Sequence, residues 1–251
     1  MAFQFTYSKL PKFIRKRLGR AGKHTAKNAE ILAKEFGFWN SAKEWRCIDA
    51  DGNPIPWYTY PAIEYIRQLD LTDKTVLEFG SGYSTLFWAA RCRKVYAVED
   101  DANWHAIVAP KAPDNVDYLL LEDRDAYINA ARAIGERQYD IIIVDGSHRY
   151  QCAENSRPLL NPDGFMILDN SDWREETSRF LRDSDLIEVD MSGFGPINPY
   201  TWTTSFYFSR EVKLKPAGPR QPLHGIGSMH KYEKDPLSGD MPKPPPVPTA
   251  A

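Results

Sequence analysis

The stretch Leu77–Ala90, LEFGSGYSTLFWAA, joins an apolar strand-like run to an apolar helical run across two glycines. TVLEF (75–79) has the length and apolar character of a buried strand, and STLFWAARC (84–92) that of a helix. Gly80 and Gly82 let the backbone turn sharply between them and approach a ligand closely, where a Cβ would clash.

Outward from this turn the same unit repeats. KVYAVE, VDYLLL, YDIIIV and GFMILD read as strands, and DANWHAIVAP, DAYINAARAI, RYQCAENSRPLL and WREETSRFLRD as the helices between and after them. Short, nearly continuous apolar strands alternating with amphipathic helices predict a parallel sheet covered on both faces. The rhythm then changes. DLIEVDM and TTSFYFSR are strands joined by SGFGPINPYTW with no helix between, so the sheet is expected to end in an antiparallel hairpin. The expected fold is a Rossmann-like, doubly wound α/β sheet of seven strands.

Three segments are expected: a basic N-terminal arm with a helix over 1–50, the α/β domain over 51–210, and a tail over 211–251 that is extended or disordered. Nine of the 19 prolines lie from Pro216 onward. Of 32 basic residues, eight precede Glu30 with no acid among them, which leaves 24 against 34 acids in the rest. Such an arm can meet an acidic surface or partner. Cys47, Cys92 and Cys152 are scattered, which suits a reducing cytoplasm rather than a disulfide frame or zinc site. No run has the length of a membrane span, and the first residues lack the apolar core of a secretory signal.

In a parallel α/β sheet, ligands bind at the carboxyl ends of the strands. Glu99 closes the second strand, where a carboxylate can accept hydrogen bonds from both hydroxyls of a ribose. A dinucleotide site would want G-x-G-x-x-G and a helix N-terminus aimed at pyrophosphate. Here the spacing is G-x-G-x-S, and Glu78 precedes it; an acid there repels pyrophosphate and suits an ammonium or sulfonium ligand. A nicotinamide-binding domain is the lesser alternative. The pattern resembles the class I S-adenosylmethionine methyltransferases over about residues 57–210, with Ser84 in place of their third glycine. The resemblance implies the strand order 3-2-1-4-5-7-6. It also implies cofactor contacts from Glu78, Gly80, Ser81, Gly82, Glu99 and Asp145, and an adenine contact from an acid after strand three. Asp125, followed by Ala126, suits that place better than Asp123, though either could simply cap a helix.

DIIIVDGSHRY and GFMILDNSDW are buried strands ending in acid: Asp145 after strand four, and Asp169-Asn170 after strand five. Three oxygen ligands on neighbouring strand ends suit Mg²⁺, Mn²⁺ or Ca²⁺. The arrangement is similar to the metal-dependent O-methyltransferases of the catechol and caffeoyl-coenzyme A type. D-x-x-H resembles the macrolide-sugar enzymes, which implies His148 as base. Asp169-Asn170 could instead cap the next helix, and Asp145-Gly146 could be a plain turn. His24, His105, His224 and His230 are weaker candidates. Trp57, Tyr58 and Tyr60 could wall the cofactor, and Asn198, Tyr200 and Trp202 could rim the acceptor.

The expected function is methyl transfer from S-adenosylmethionine to a hydroxyl of a small molecule or sugar, assisted by a divalent ion that lowers the hydroxyl's pKa. One alternative is a metal-independent enzyme of the same fold acting on nitrogen, protein or nucleic acid. The other is a non-catalytic nucleoside-binding scaffold. Oligomeric state is left open.

Overall fold

The computed structural model describes residues 11–219 and 221–229. Its centre is one seven-stranded sheet in the order β3-β2-β1-β4-β5-β7-β6. The strands are β1 (Thr75–Phe79), β2 (Lys94–Glu99), β3 (Val116–Leu120), β4 (Tyr139–Val144), β5 (Leu160–Asp169), β6 (Ile187–Gly193) and β7 (Trp202–Phe208). The first five are parallel, and β7 runs antiparallel between β5 and β6. This is the order that the resemblance implies, with the terminal hairpin that the strand rhythm predicts.

Strand side chains alternate between two cores because the strand period is two. Val76, Val95, Ile141, Ile143, Phe165, Ile167 and Phe206 point to one face, against Ile63 and Ile66 of α3 (Tyr60–Ile66) and Phe87 and Trp88 of α4 (Tyr83–Ala89). Leu77, Phe79, Val98, Ile142, Val144, Met166 and Leu168 point to the other. There they meet Tyr127 and Ile128 of α6 (Arg124–Ile128), Cys152 of α8 (Arg149–Ser156) and Leu181 of α9 (Glu175–Asp183). The short α5 (Ala102–Val108) follows β2, and α7 (Ala130–Ala133) follows α6. With both faces covered, the open positions for a ligand are the strand ends.

Two expectations change outside the sheet. The basic arm is helical from Lys12: α1 spans Lys12–Glu30, broken at Gly19 (φ 57°, ψ −149°), and continues through a π-helical turn, Ile31–Glu35, to α2 (Phe38–Glu44). The arm carries few strong helix breakers, so Lys and Arg, which are good helix formers, continue the helix. The start of the Pro-rich tail is bound to the domain. Asp70 N–H donates to Lys215 O (2.8 Å) and Ala217 N–H to Gln68 O (2.8 Å). Ile226 N–H donates to Glu64 Oε1 (2.5 Å). Proline removes a donor but leaves the carbonyls and neighbouring amides free for such bonds. Residues 1–10 and 230–251, with His230 and the last prolines, lie outside the described residues.

Candidate active site

The glycine turn is built on close backbone approach. Gly80 has φ +81°, and a Cβ there would lie 2.5 Å from the N and Cα of Gly146. Gly146 has no room for a Cβ either, being packed on the Tyr127 hydroxyl and Gly80. The β1 and β4 loops can touch only because both positions are glycine. Gly80 N–H donates to Val98 O (3.0 Å) and Asp145 N–H to Phe79 O (2.9 Å), so the turn extends the ladder by one residue on each side.

Glu78 is fully buried behind this turn rather than in front of it. Thr85 Oγ1 donates to Glu78 Oε2 (2.5 Å) and accepts from Gly82 N–H (3.0 Å). The carboxyl thus fixes the start of α4. Burial pushes its pKa up to about 8. The carboxyl does not line the cavity, so its place is behind the turn it fixes rather than in direct contact with the cofactor.

Glu99 is 5% exposed at the end of β2. Its Oε2 accepts from Ser81 N–H (3.1 Å) and Ser81 Oγ–H (2.5 Å). Its Oε1 accepts from the amides of Asp100 and Asp101, both at 3.0 Å. Four donors orient the carboxylate toward the cavity mouth. Trp104 donates Nε1–H to Ser81 O (2.7 Å) and lays its ring over Gly82. Nothing in the sequence pattern had singled out this tryptophan; its position five residues after Glu99 is the only signal.

The far wall rises from β4 and β5. Asp145, Asp169 and Asn170 do come together, around Arg149. Its Nη2 donates to Asp145 Oδ1 (3.0 Å) and Asp145 O (2.9 Å), and its Nε to Gly146 O (3.0 Å). Its Nη1 donates to Asn170 Oδ1 (3.1 Å) and to Asp169 O. The guanidinium is therefore saturated. Asp169 is 2% exposed, and its Oδ1 accepts from Trp202 Nε1–H (3.0 Å) and Thr204 Oγ1–H (2.5 Å). Burial raises the pKa of Asp145 to about 6, against the pull of Arg149. Burial, and then the charge of Asp145, raise that of Asp169.

Between the two walls is a cavity of about 570 Å³, reached by Gly80, Ser81, Gly82, Glu99, Asp145, Asp169 and Asn170. Trp57, Asn198 and Tyr200 line it as expected, and Trp45, Trp104 and Trp173 join them. Trp202 is buried and acts through Asp169, while Tyr58 and Tyr60 belong to the core. Besides Glu78, two expected site residues fall outside. His148 is exposed, with φ +51°, and lines a separate groove beside Arg174–Thr177. Its left-handed backbone starts α8, and the residue does not line the cavity. Asp125 has a side chain 77% exposed and pairs with Arg124 (3.1 Å); Asp123 caps α6 through Ala126 N–H (2.8 Å). His105 stacks on Tyr118 (4.3 Å).

The residues do not fit a divalent ion. Two of the three expected donors, Asp145 Oδ1 and Asn170 Oδ1, are bonded to a cation already present, and Asp169 Oδ1 is taken by Trp202 and Thr204. The sequence had read RYQC as a plain helix start; the i,i+4 spacing of Asp145 and Arg149 was the available signal. The other wall does fit a nucleoside carrying a sulfonium. A bulk-free turn lies beside a fixed carboxylate, in a space of ordinary ligand size.

Residues 77–171 match the family model described as a methyltransferase domain. The sheet order around this segment is the one that the resemblance to the class I S-adenosylmethionine methyltransferases implies. Among solved structures, the chain is similar to precorrin-6y C5,15-methyltransferase from Geobacter metallireducens, with TM-score 0.48 and 10% identity over 59% of this chain and 87% of that one. It is similar to a methyltransferase-like protein from Silicibacter pomeroyi, with TM-score 0.45 and 20% identity over 62% and 89% of the two chains. It is also similar to N-methyltransferase NodS from Bradyrhizobium japonicum in complex with S-adenosyl-L-homocysteine, with TM-score 0.42 and 13% identity over 56% and 80%. No curated protein matches the chain. Among the described residues, no helix is long and apolar enough to cross a membrane.

Proposed function

We propose that the protein transfers the methyl group of S-adenosylmethionine to a small molecule that enters through the aromatic mouth of the cavity, without help from a divalent ion. The observation that carries this reading is the single cavity with two unlike walls. One is a backbone-made nucleoside wall at Gly80–Gly82 and Glu99. The other is a wall of carboxylates and aromatic rings at Asp145, Asp169, Trp173 and Tyr200.

Bound at the first wall, the cofactor supplies an electrophilic methyl on sulfur. Glu99 accepts the ribose hydroxyls, its oxygens held by the Ser81, Asp100 and Asp101 donors. Trp104 closes the Gly82 side against water. The second wall holds the acceptor, so that positioning supplies much of the acceleration. Arg149 locks the β4 and β5 ends in one arrangement and occupies Asp145 Oδ1, Asn170 Oδ1 and Asp169 O, so the three expected ligands are not gathered for a metal. Metal-assisted O-methylation therefore has no support in this geometry, and His148, the expected base, does not line the cavity.

Thermal unfolding with S-adenosylmethionine or S-adenosyl-L-homocysteine tests the reading. Either ligand should raise Tm, because it binds only the native state. Glu99→Ala should abolish most of that shift, and excess chelator should leave it intact. Stabilisation by NAD but not by these ligands would overturn the assignment. Binding with no methylated product from any acceptor would favour a scaffold.

A further inference from the structure

We propose that the acceptor is an amine, bound as a cation between the acidic floor and the aromatic rim of the cavity, and that the enzyme methylates nitrogen. This rests on the methyltransferase reading above and names its substrate class.

The lining carries five acids, Glu99, Asp100, Asp101, Asp145 and Asp169, against two arginines. Arg149 has every donor engaged, and Arg46, half-exposed at the mouth, is paired with Glu44 through Nη2. A carboxylate or phosphate acceptor would meet net negative charge from five acids against these two arginines. A phenol or sugar hydroxyl would fare little better. Its oxygen gains negative charge as it loses its proton, beside Asp145 and Asp169, where the neighbouring guanidinium of Arg149 has every donor already engaged.

A cation is favoured by the same features. Asp169 is 98% buried by its 2% exposure, lines the cavity, and takes hydrogen bonds only on Oδ1 among the described residues. Asp145 likewise pairs with Arg149 through Oδ1. An ammonium is the group that satisfies remaining carboxylate oxygens in such a place. The mouth adds ring faces. Trp45 and Trp57 meet edge to face at 6.3 Å, and Trp173 and Tyr200 lie 6.2 Å apart. These four are 69%, 38%, 54% and 46% exposed, an unusual concentration of open rings around one cavity. Aromatic faces attract cations, and more so where water is excluded.

The transfer balances simply. The ammonium gives one proton to a carboxylate of the floor, which passes it to water. The freed nitrogen pair forms the new C–N bond with the methyl carbon, and the S–C pair stays on sulfur. The products are a methylammonium and a neutral thioether. The positive charge moves from sulfur to nitrogen and stays over the acidic floor.

Three probes with one ring and different head groups test the inference: benzylamine, benzyl alcohol and benzoate. Each is titrated by calorimetry into the full chain saturated with S-adenosyl-L-homocysteine at pH 7. Benzylamine should bind at least about tenfold more tightly than benzyl alcohol, and benzoate not at all. Asp169→Asn keeps an acceptor for Trp202 and Thr204. It should weaken benzylamine about tenfold or more while leaving S-adenosyl-L-homocysteine affinity unchanged. Tyr200→Leu and Trp173→Leu, at exposed positions where folding is not in question, should weaken benzylamine about two- to fivefold and spare benzyl alcohol. With S-adenosylmethionine in place of its product, mass spectrometry should show N-methylbenzylamine. Equal binding of alcohol and amine, or rim variants that weaken both alike, would overturn the inference and return the acceptor to a hydroxyl. Failure of S-adenosyl-L-homocysteine itself to bind would instead overturn the methyltransferase reading.

Discussion

The two walls of the cavity are made of different materials. The β1–β2 wall is backbone: a glycine against a glycine, amides on a carboxylate, a threonine tying a buried acid to a turn. The β4–β5 wall is side chain and charge: one guanidinium gathering two strand ends, and an aspartate held by an indole and a hydroxyl. The difference lies in what can replace what. A backbone approach that would set a Cβ 2.5 Å from the facing backbone admits glycine and nothing else, so residue identity reports conformation. A cluster of carboxylates admits any cation. The same Asp and Asp-Asn pattern can close around a metal ion or around an arginine supplied by the next helix.

Replacing that arginine should give the largest effect. Arg149→Met leaves Asp145 without its partner and several carbonyls without donors. Breaking a buried pair from one side costs about 3–5 kcal/mol. Urea unfolding should show a loss of that order, while the wild type should be indifferent to chelator. Rescue of the variant's stability by Mg²⁺ would show that the wall is a metal site with an arginine placed in it. Indifference to Mg²⁺ would confirm that the charge cluster was shaped for a guanidinium.

The opposite wall is broken by Gly80→Ala. The new methyl would press on the Gly146 backbone, and φ +81° is unfavourable for any residue with a Cβ. A loss of about 2–4 kcal/mol is expected, together with loss of S-adenosyl-L-homocysteine binding, because neither loop has a flexible side chain to yield. An alanine variant that binds the ligand with wild-type affinity would mean that the close approach is not what shapes this wall.

This contrast also sorts what the sequence made legible. Apolar runs such as YDIIIV and GFMILD announced central strands because both faces of a parallel sheet are covered. The SGFGPINPYTW connection, with no helix, announced the antiparallel end. Gly80, Ser81, Gly82 and Glu99 were legible for the same reason as the strands: their identities constrain local backbone. His148 and Asp125 were misplaced because a side chain's direction depends on local φ and on what the neighbours bond. His148 starts α8 with a left-handed backbone and is exposed, and beside Asp125 the capping role goes to Asp123. Arg149 was illegible as a site residue since its role comes from β5, which lies 20 positions away in the chain. The helical basic arm was missed because its charge drew the reading toward solvent before its helix propensity was weighed.

Glu78 sharpens the comparison by pH. Its carboxyl ionises near pH 8 in the folded protein because burial penalises the charged form, against 4.5 for an unburied glutamate. The native state therefore holds a proton that the unfolded chain releases between those values. The stabilising effect is complete below about pH 4.5 and is lost as pH rises through about 8. The slope approaches about 1.4 kcal/mol per pH unit. Glu78→Gln keeps an acceptor for Thr85 and removes the titration. The difference in unfolding free energy between variant and wild type cancels the contributions of Asp145 and Asp169, which both proteins share. That difference should move in the variant's favour as pH rises from 5 to 8. A difference independent of pH would mean that Glu78 is already ionised, and that the backbone wall carries charge after all.

The smallest effect is expected at His148, where the sequence pattern had pointed to a base. The residue is exposed, lies outside the cavity, and holds φ +51° and ψ +37°. For a residue with a Cβ, that conformation is unfavourable by about 1–2 kcal/mol, although the short turn before α8 requires it. His148→Gly removes the ring and relieves the backbone at once. The gain is offset in part by the extra freedom of glycine in the unfolded chain, so the net change should be within about 1 kcal/mol of zero. Turnover with whatever acceptor the enzyme takes should stay within about twofold of wild type, because no cavity-lining atom is lost. A fall of a hundredfold in rate, with stability unchanged, would put the imidazole at the reacting atoms. The α8 turn would then have to rearrange when ligands bind, and the side-chain wall would be the movable half of the site.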